Sequence, residues 1–104
     1  RRGRSWYEHQ LDHPGRDLFA EDCARVACPV LIVHGDADTT VPIEHATRTS
    51  ALLGAGVCPG VEVVAIEGGD HNLNSGGLGF DRENIETAQT RTACEAIERF
   101  IDRL

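Results

Sequence analysis

Residues 29–42 read PVLIVHGDADTTVP, an apolar run that stops abruptly at an acidic turn. Residues 30–33 are all apolar and mostly β-branched, a composition typical of a strand that is buried on both faces. Gly35 breaks the run, and Pro42 suits the first turn of a following helix. The segment therefore predicts a buried strand at 29–34 that carries aspartates at its carboxyl end.

A second segment repeats this arrangement further along the chain. Residues 61–66 read VEVVAI and continue into EGGDHN, so this strand ends in a glycine pair followed by His71. Helical patterns cover 17–26, 43–53 and 83–103, which gives alternating helices and strands. This order predicts adjacent parallel strands with right-handed crossovers, a three-layer α/β piece. Because two strands alone leave open edges, the sheet should need more strands than the chain supplies.

Local signals indicate where the helices begin and end. Asp17 is the expected N-cap of the first helix, and Gly54 is the expected stop of the second. For the last helix we expect Asp81 or Asn84 as the cap, and an apolar stripe with helical spacing that faces a core. Five glycines between residues 68 and 79 indicate a mobile surface loop.

The composition restricts the classes of partner. The chain has 104 residues, which suits one small domain, and a net charge of −7. This acidic balance argues against a nucleic-acid or membrane-surface binder, and no apolar run approaches the roughly 20 residues that span a bilayer. Methionine is absent, so we expect a fragment, a processed product or an incomplete gene model. Lysine is absent too, which excludes any mechanism that needs a lysine of this chain.

The four cysteines are Cys23, Cys28, Cys58 and Cys94, and their spacing matches no zinc site. Two disulfides would suit a secreted protein, but residues 1–6 do not lead into the apolar core of a secretory signal. We therefore expect reduced thiols in a cytoplasmic protein, with Cys28 and Cys94 packed as small apolar residues. No metal and no cofactor is expected.

The two strand ends bring together residues suited to acid–base chemistry. A histidine that acts as a general base needs a carboxylate on its other ring nitrogen, and Asp38 and His71 could meet at one edge of a parallel sheet. On spacing alone, a structural interpretation is equally open, with Asp38 capping the next helix and His71 in a polar loop. We expect His34 to be packed or hydrogen-bonded near the turn, and Asp36 to bind backbone amides of the turn.

Both motifs resemble the C-terminal part of the α/β-hydrolase superfamily, in its esterase, thioesterase and serine-aminopeptidase-like group. The resemblance covers about residues 26–73 and extends loosely through the last helix. In that family the penultimate core strand ends in His-Gly-x-x-Asp-x-x-Val-Pro, and its aspartate matches Asp38. The histidine that follows the last strand matches His71. The resemblance therefore implies that Asp38 and His71 are the acid and the base of a Ser-Asp-His triad.

The serine that this family presents in a Gly-x-Ser-x-Gly elbow has no counterpart here. Ser5, Ser50 and Ser75 all lack that context. We therefore expect a fragment of a serine hydrolase of esters, thioesters or small amides, inactive alone, whose missing N-terminal part supplies the nucleophile. Residues 1–28 would form an irregular or helical lead-in at the end of a cap region. Residues 29–104 would form the C-terminal part of the hydrolase domain, with helices flanking the sheet.

Two other interpretations stay open. The chain could be a non-catalytic remnant or an interaction domain. Alternatively, Asp36-Ala37-Asp38-Thr39-Thr40 resembles the nucleophile motif of haloacid-dehalogenase-type phosphatases, with Asp36 phosphorylated, Asp38 as acid–base and magnesium bound. Against this second interpretation, His34-Gly35 intervenes between strand and aspartate, and the expected lysine and downstream acidic pair are absent.

Overall fold

The computed structural model describes residue 8 and residues 11–75 and 87–104. Helices and strands alternate along the chain, as the sequence predicts. In order, they are α1 (Leu18–Cys23), β1 (Val30–Gly35), α2 (Glu44–Gly54), β2 (Val61–Ile66) and α3 (Ala88–Asp102). This part of the chain is therefore a mixed α/β structure.

The two strands form a parallel sheet with flanking helices. Their register runs from the pair Val30 and Val61 to the pair Gly35 and Ile66. Strand β1 begins one residue later than predicted, because Pro29 has no N–H and the first ladder bond comes from Val30 N to Gly60 O at 3.0 Å. The predicted parallel pairing is confirmed.

Strand β1 is less buried than its sequence predicts. Its residues Val30–His34 are half-buried, and only Gly35 is buried. The sheet in the described residues has the order β1-β2, so each strand has one edge without a strand neighbour. The described residues therefore leave part of the apolar surface of β1 uncovered.

The helix ends show which local signals the structure uses. The Asp17 side chain accepts a hydrogen bond from Ala20 N, which confirms the predicted N-cap of α1. Gly54 is not the predicted stop of α2: it is the last helical residue, and Ala55 caps the helix in a right-handed conformation. Just after this helix, Gly56 packs against the backbone of Ala24. A Cβ atom at Gly56 would lie 2.6 Å from the Ala24 carbonyl oxygen, so this position has no room for a side chain.

Helix α3 begins at a cap that the sequence analysis missed. Thr87 has an extended backbone, and its side chain accepts a hydrogen bond from Thr90 N in a capping box. The expected caps Asp81 and Asn84 lie outside the described residues. The predicted helix at 83–103 is therefore described only from Ala88 onwards.

The core lies between the sheet and helices α2 and α3, both of which contact β1 and β2. Ile66 is its most enclosed large side chain, with 1% exposure. Ala93 and Ala96 of α3 are buried, but Ile97 and Ile101, which continue the apolar stripe at helical spacing, are 42% and 57% exposed. The stripe is thus only partly covered. None of the helices in the described ranges has both the length and the apolar character to cross a membrane.

Candidate active site

Two turns follow the strands at their carboxyl ends. The aspartate turn, residues 36–41, follows β1, and the histidine turn, residues 67–75, follows β2. Because the strands are parallel, both turns lie at the same edge of the sheet. Gly35 permits their close approach, since a Cβ atom built there would lie 2.2 Å from the Gly69 carbonyl oxygen.

Hydrogen bonds join the two turns directly. Ala37 N donates to Gly69 O at 2.9 Å, and Gly68 N donates to the Asp36 carboxylate at 2.8 Å. Gly68 has φ of 70°, which glycine adopts without strain. Asp36 therefore binds a backbone amide, as predicted, but the amide belongs to the other turn. Its carboxylate links the two turns.

Asp38 is the buried acid of this edge. Its side chain is 4% exposed. Oδ1 accepts hydrogen bonds from Thr40 N at 2.9 Å and Val41 N at 2.8 Å. Burial disfavours the charged form and is the largest single influence, but hydrogen bonds from Val41 N, His71 and Thr40 N together lower the pKa of Asp38 below its ordinary value. The group at this edge is therefore a carboxylate.

His71 lies against the other carboxylate oxygen. Its Nδ1 is 3.0 Å from Asp38 Oδ2, across 33 residues of sequence. The predicted proximity is therefore confirmed. Because an ionised carboxylate only accepts hydrogen bonds, the contact places the imidazole proton on Nδ1. The Nε2 lone pair is then free to take a proton, and no group in the described ranges hydrogen-bonds to it. The His71 side chain is 49% exposed and lines the cavity described below.

The structure also tests the helix-capping interpretation of Asp38. The N-cap of α2 is Ile43, which makes no side-chain capping bond. Asp38 is thus not the helix cap. It closes its own turn with one oxygen and faces His71 with the other.

The histidine turn is held by its own polar groups. Asp70 Oδ1 accepts from Asn72 N at 2.9 Å and from Asn74 N at 2.8 Å. Leu73 and Asn74 have φ of 52° and 64°, left-handed values that side chains seldom adopt. Thr87 Oγ1 donates to Leu73 O at 2.6 Å and so ties the turn to the start of α3. Asp70 therefore organises the loop that carries the histidine.

A cavity of about 230 Å³ opens beside the pair. Its lining includes the three apolar residues Val33, Val41 and Leu73 as well as Asp38 and His71. Larger cavities of about 290 and 620 Å³ lie elsewhere, at the amino end of the sheet and beside the start of α3. Of these three cavities, only the smallest is lined by a histidine that lies against a carboxylate.

His34 is the site residue whose role the sequence analysis missed. It was expected to be hydrogen-bonded near the turn, and its Nε2 is indeed 2.7 Å from Val41 O. The same nitrogen is also 3.4 Å from Asp38 Oδ2, so two imidazoles approach one carboxylate. The signal was present, since His34 stands four residues before Asp38 at the end of a strand.

Other candidate groups are not assembled around the pair. Ser75 Oγ donates to Asn72 O at 2.7 Å within its own turn, and Ser5 lies outside the described residues. Among the residues described, no cluster of three or more histidine, cysteine or acidic side chains could hold a metal ion. All four cysteines are unpaired, and Cys28 and Cys94 are exposed rather than packed as predicted.

Comparison with known proteins finds a partial similarity to one enzyme. The chain is 38% identical over 63 residues to the non-heme chloroperoxidase CPO-A1 of Kitasatospora aureofaciens, an α/β-hydrolase family member. The match covers 61% of this chain and 22% of that protein, so the chain spans about a fifth of its relative. No protein-family model and no solved structure matches the chain. The similarity is thus to an α/β-hydrolase.

Proposed function

We propose that these residues are the acid–base part of a serine hydrolase of the α/β-hydrolase type, which acts on carboxylic esters, thioesters or small amides. The observation that carries the proposal is the contact of 3.0 Å between His71 Nδ1 and the buried Asp38 carboxylate. The serine would come from a segment outside the 104 residues, in the N-terminal part of the same fold. Residues 1–28 would form the lead-in from a cap region, and residues 29–104 the end of the hydrolase domain.

In this proposal each residue moves or holds one proton. As the serine oxygen attacks the substrate carbonyl, His71 Nε2 takes the hydroxyl proton and then gives it to the leaving group. In the second half, Nε2 takes a proton from a water molecule as its oxygen attacks the acyl–serine carbonyl. The imidazolium then returns that proton to the serine oxygen as the acyl–serine bond breaks and the acid product leaves. Asp38 stays ionised throughout, holds the proton on Nδ1 and stabilises the imidazolium.

The contacts favour this proposal over the phosphatase interpretation. A phosphatase of that type needs Asp36 as a nucleophile and Asp38 as an acid–base with access to the substrate. Here Asp36 binds Gly68 N, and Asp38 is enclosed and faces His71. We also retain the expected cytoplasmic location as a proposal, which the unpaired state of the four cysteines supports.

The name of the relative supports a second candidate, chloroperoxidase activity of the complete gene product. This activity would use the same edge of the sheet. It is tested by chlorination of a small acceptor in the presence of peroxide and chloride, beside an ester assay on the same sample. Chlorination without ester turnover would favour the second candidate.

The experiment that tests the main proposal is labelling by a fluorophosphonate, which reacts with activated serines. We expect the complete gene product to be labelled, and the label to be lost in His71→Ala. His45→Ala is the matched control, because His45 is exposed on α2, and it should label normally. A folded, complete product that takes no label would instead support the non-catalytic remnant or interaction domain.

A further inference from the structure

The carboxylate of Asp38 has two histidine neighbours, and they differ in their surroundings. His71 Nδ1 and His34 Nε2 lie 3.0 Å and 3.4 Å from the same oxygen, Oδ2. The His34 side chain is 16% exposed, whereas that of His71 is 49% exposed. Both histidines line the cavity of about 230 Å³, but the imidazole of His34 is largely enclosed and that of His71 is half exposed.

The enclosed imidazole has a fixed proton. His34 Nε2 is 2.7 Å from the Val41 carbonyl oxygen, which can only accept a hydrogen bond. Nε2 therefore carries a hydrogen and donates it. The partial positive charge of this N–H group also lies 3.4 Å from Asp38 Oδ2, whereas the turn amides bind Oδ1.

The same contact closes the aspartate turn from both ends. Val41 N donates to Asp38 Oδ1 at 2.8 Å, while Val41 O accepts from His34. The acid is thereby tied to Val41, and Val41 is tied back to strand β1. Because a strand is more rigid than a turn, this arrangement fixes the carboxylate relative to the sheet.

We infer that His34 is a positioning residue, which holds the Asp38 carboxylate so that Oδ2 meets Nδ1 of His71. Its role in catalysis depends on the proposed function, but its effect on the Asp38–His71 pair can be measured without a substrate. His34 takes no proton from the substrate. It acts through Asp38 and Val41.

The test reads the tautomers of the imidazole rings in the complete gene product labelled with ¹⁵N-histidine. At about pH 8.5, where an ordinary imidazole is neutral, we expect His34 to carry its proton on Nε2 and His71 on Nδ1. In His34→Leu, the ratio of Nδ1–H to Nε2–H tautomers at His71 should fall by roughly fivefold, the equivalent of one ordinary hydrogen bond. His34→Gln, which keeps a side-chain donor, should restore the ratio to within about twofold of the wild type.

Two results would overturn the inference. One is a His34 ring with its proton on Nδ1 in the wild-type chain, a measurement that needs no variant. The other is an unchanged His71 ratio in a folded His34→Leu chain. If His34→Leu does not fold, His34→Gln gives the answer. A folded His34→Gln protein whose His71 tautomer ratio is also about fivefold below that of the wild type contradicts a donor role for His34. His45→Leu controls for the loss of a histidine elsewhere. If the fluorophosphonate labels no serine but His34 and His71 show the expected tautomers, the proposed function is contradicted and the positioning role of His34 is not.

Discussion

Gly35 and Gly69 touch backbone to backbone, and a Cβ atom added to Gly35 would lie 2.2 Å from the Gly69 carbonyl oxygen. That oxygen already accepts a hydrogen bond from Ala37 N at 2.9 Å. The aspartate turn and the histidine turn therefore meet through a contact that leaves no room for a side chain. The distance between Asp38 and His71 depends on it.

Gly35→Ala should push the two turns apart. Because the obstructing atoms belong to the backbone, we expect a loss of about 1–3 kcal/mol in the free energy of unfolding, measured by urea denaturation. Gly60→Ala is the matched control, since a Cβ atom there meets nothing within 4 Å. Equal stability of the two variants would show that the turns do not pack as described.

The stability of the chain should depend on the charge of Asp38. Its pKa is lowered in the folded state, since the hydrogen bonds of Val41 N, His71 and Thr40 N outweigh burial, so its ionised form favours folding. That contribution is fully present above the unfolded pKa of about 3.9. It is lost as the pH falls through the lower, folded value.

Unfolding curves of the wild type and Asp38→Asn, recorded between about pH 6 and pH 2, test this dependence. The difference in stability should be constant at the upper end and should shrink below about pH 4. In His71→Gln the carboxylate loses one of its donors and its folded pKa rises toward the unfolded value, so the total loss should be smaller and should end at a higher pH. A difference between the wild type and Asp38→Asn that stays constant down to pH 2 would contradict the account.

Thr87 should stabilise both α3 and the histidine turn. Its hydroxyl caps Thr90 N at 3.0 Å and donates to Leu73 O at 2.6 Å. Thr87→Ala should cost about 1–2 kcal/mol in the free energy of unfolding. Thr92→Ala, on the exposed part of the same helix, should change it by less than about 0.5 kcal/mol. If both threonines prove equivalent in denaturation, the capping box is not formed.

The four thiols should separate by reactivity. Cys28 and Cys94 are exposed, whereas Cys23 is 6% exposed and burial raises the pKa of its thiol. A thiol-specific chromogenic reagent at neutral pH should therefore modify Cys28 and Cys94 first, and Cys23 more than about tenfold later. In denaturant all four should react together. If the Cys23 thiol of the folded chain reacts as fast as those of Cys28 and Cys94, Cys23 is not buried and α1 does not pack as described.

Several features of the fold and the site follow from the sequence, and they share one physical basis. Strand β2 was predicted at its observed bounds, because an apolar run between turn residues has few alternative conformations. The placement of Asp38 and His71 at one edge follows from parallel pairing, since parallel strands bring their carboxyl ends to one edge. The pattern of apolar runs and turn residues thus predicts the strands and the edge they share.

The features that the sequence analysis missed depend on contacts between distant segments. Thr87 is a cap partly because Leu73 O lies beside it. His34 reaches Asp38 only when the turn folds back so that Val41 O meets the strand. Ile97 and Ile101 have the spacing of a core stripe, but whether they are covered depends on what packs against α3. The spacing of these residues along the chain does not by itself show which distant segments they contact.

The most direct test of the central claim is the turnover of p-nitrophenyl acetate by the complete gene product, compared among three variants. Asp38→Asn and His71→Ala should each lower kcat by about 10³–10⁴-fold with the protein still folded. His45→Ala should stay within about twofold of the wild type. If Asp38→Asn and His71→Ala both retain turnover within about tenfold of the wild type, the pair at the sheet edge is not the acid and base of a hydrolase.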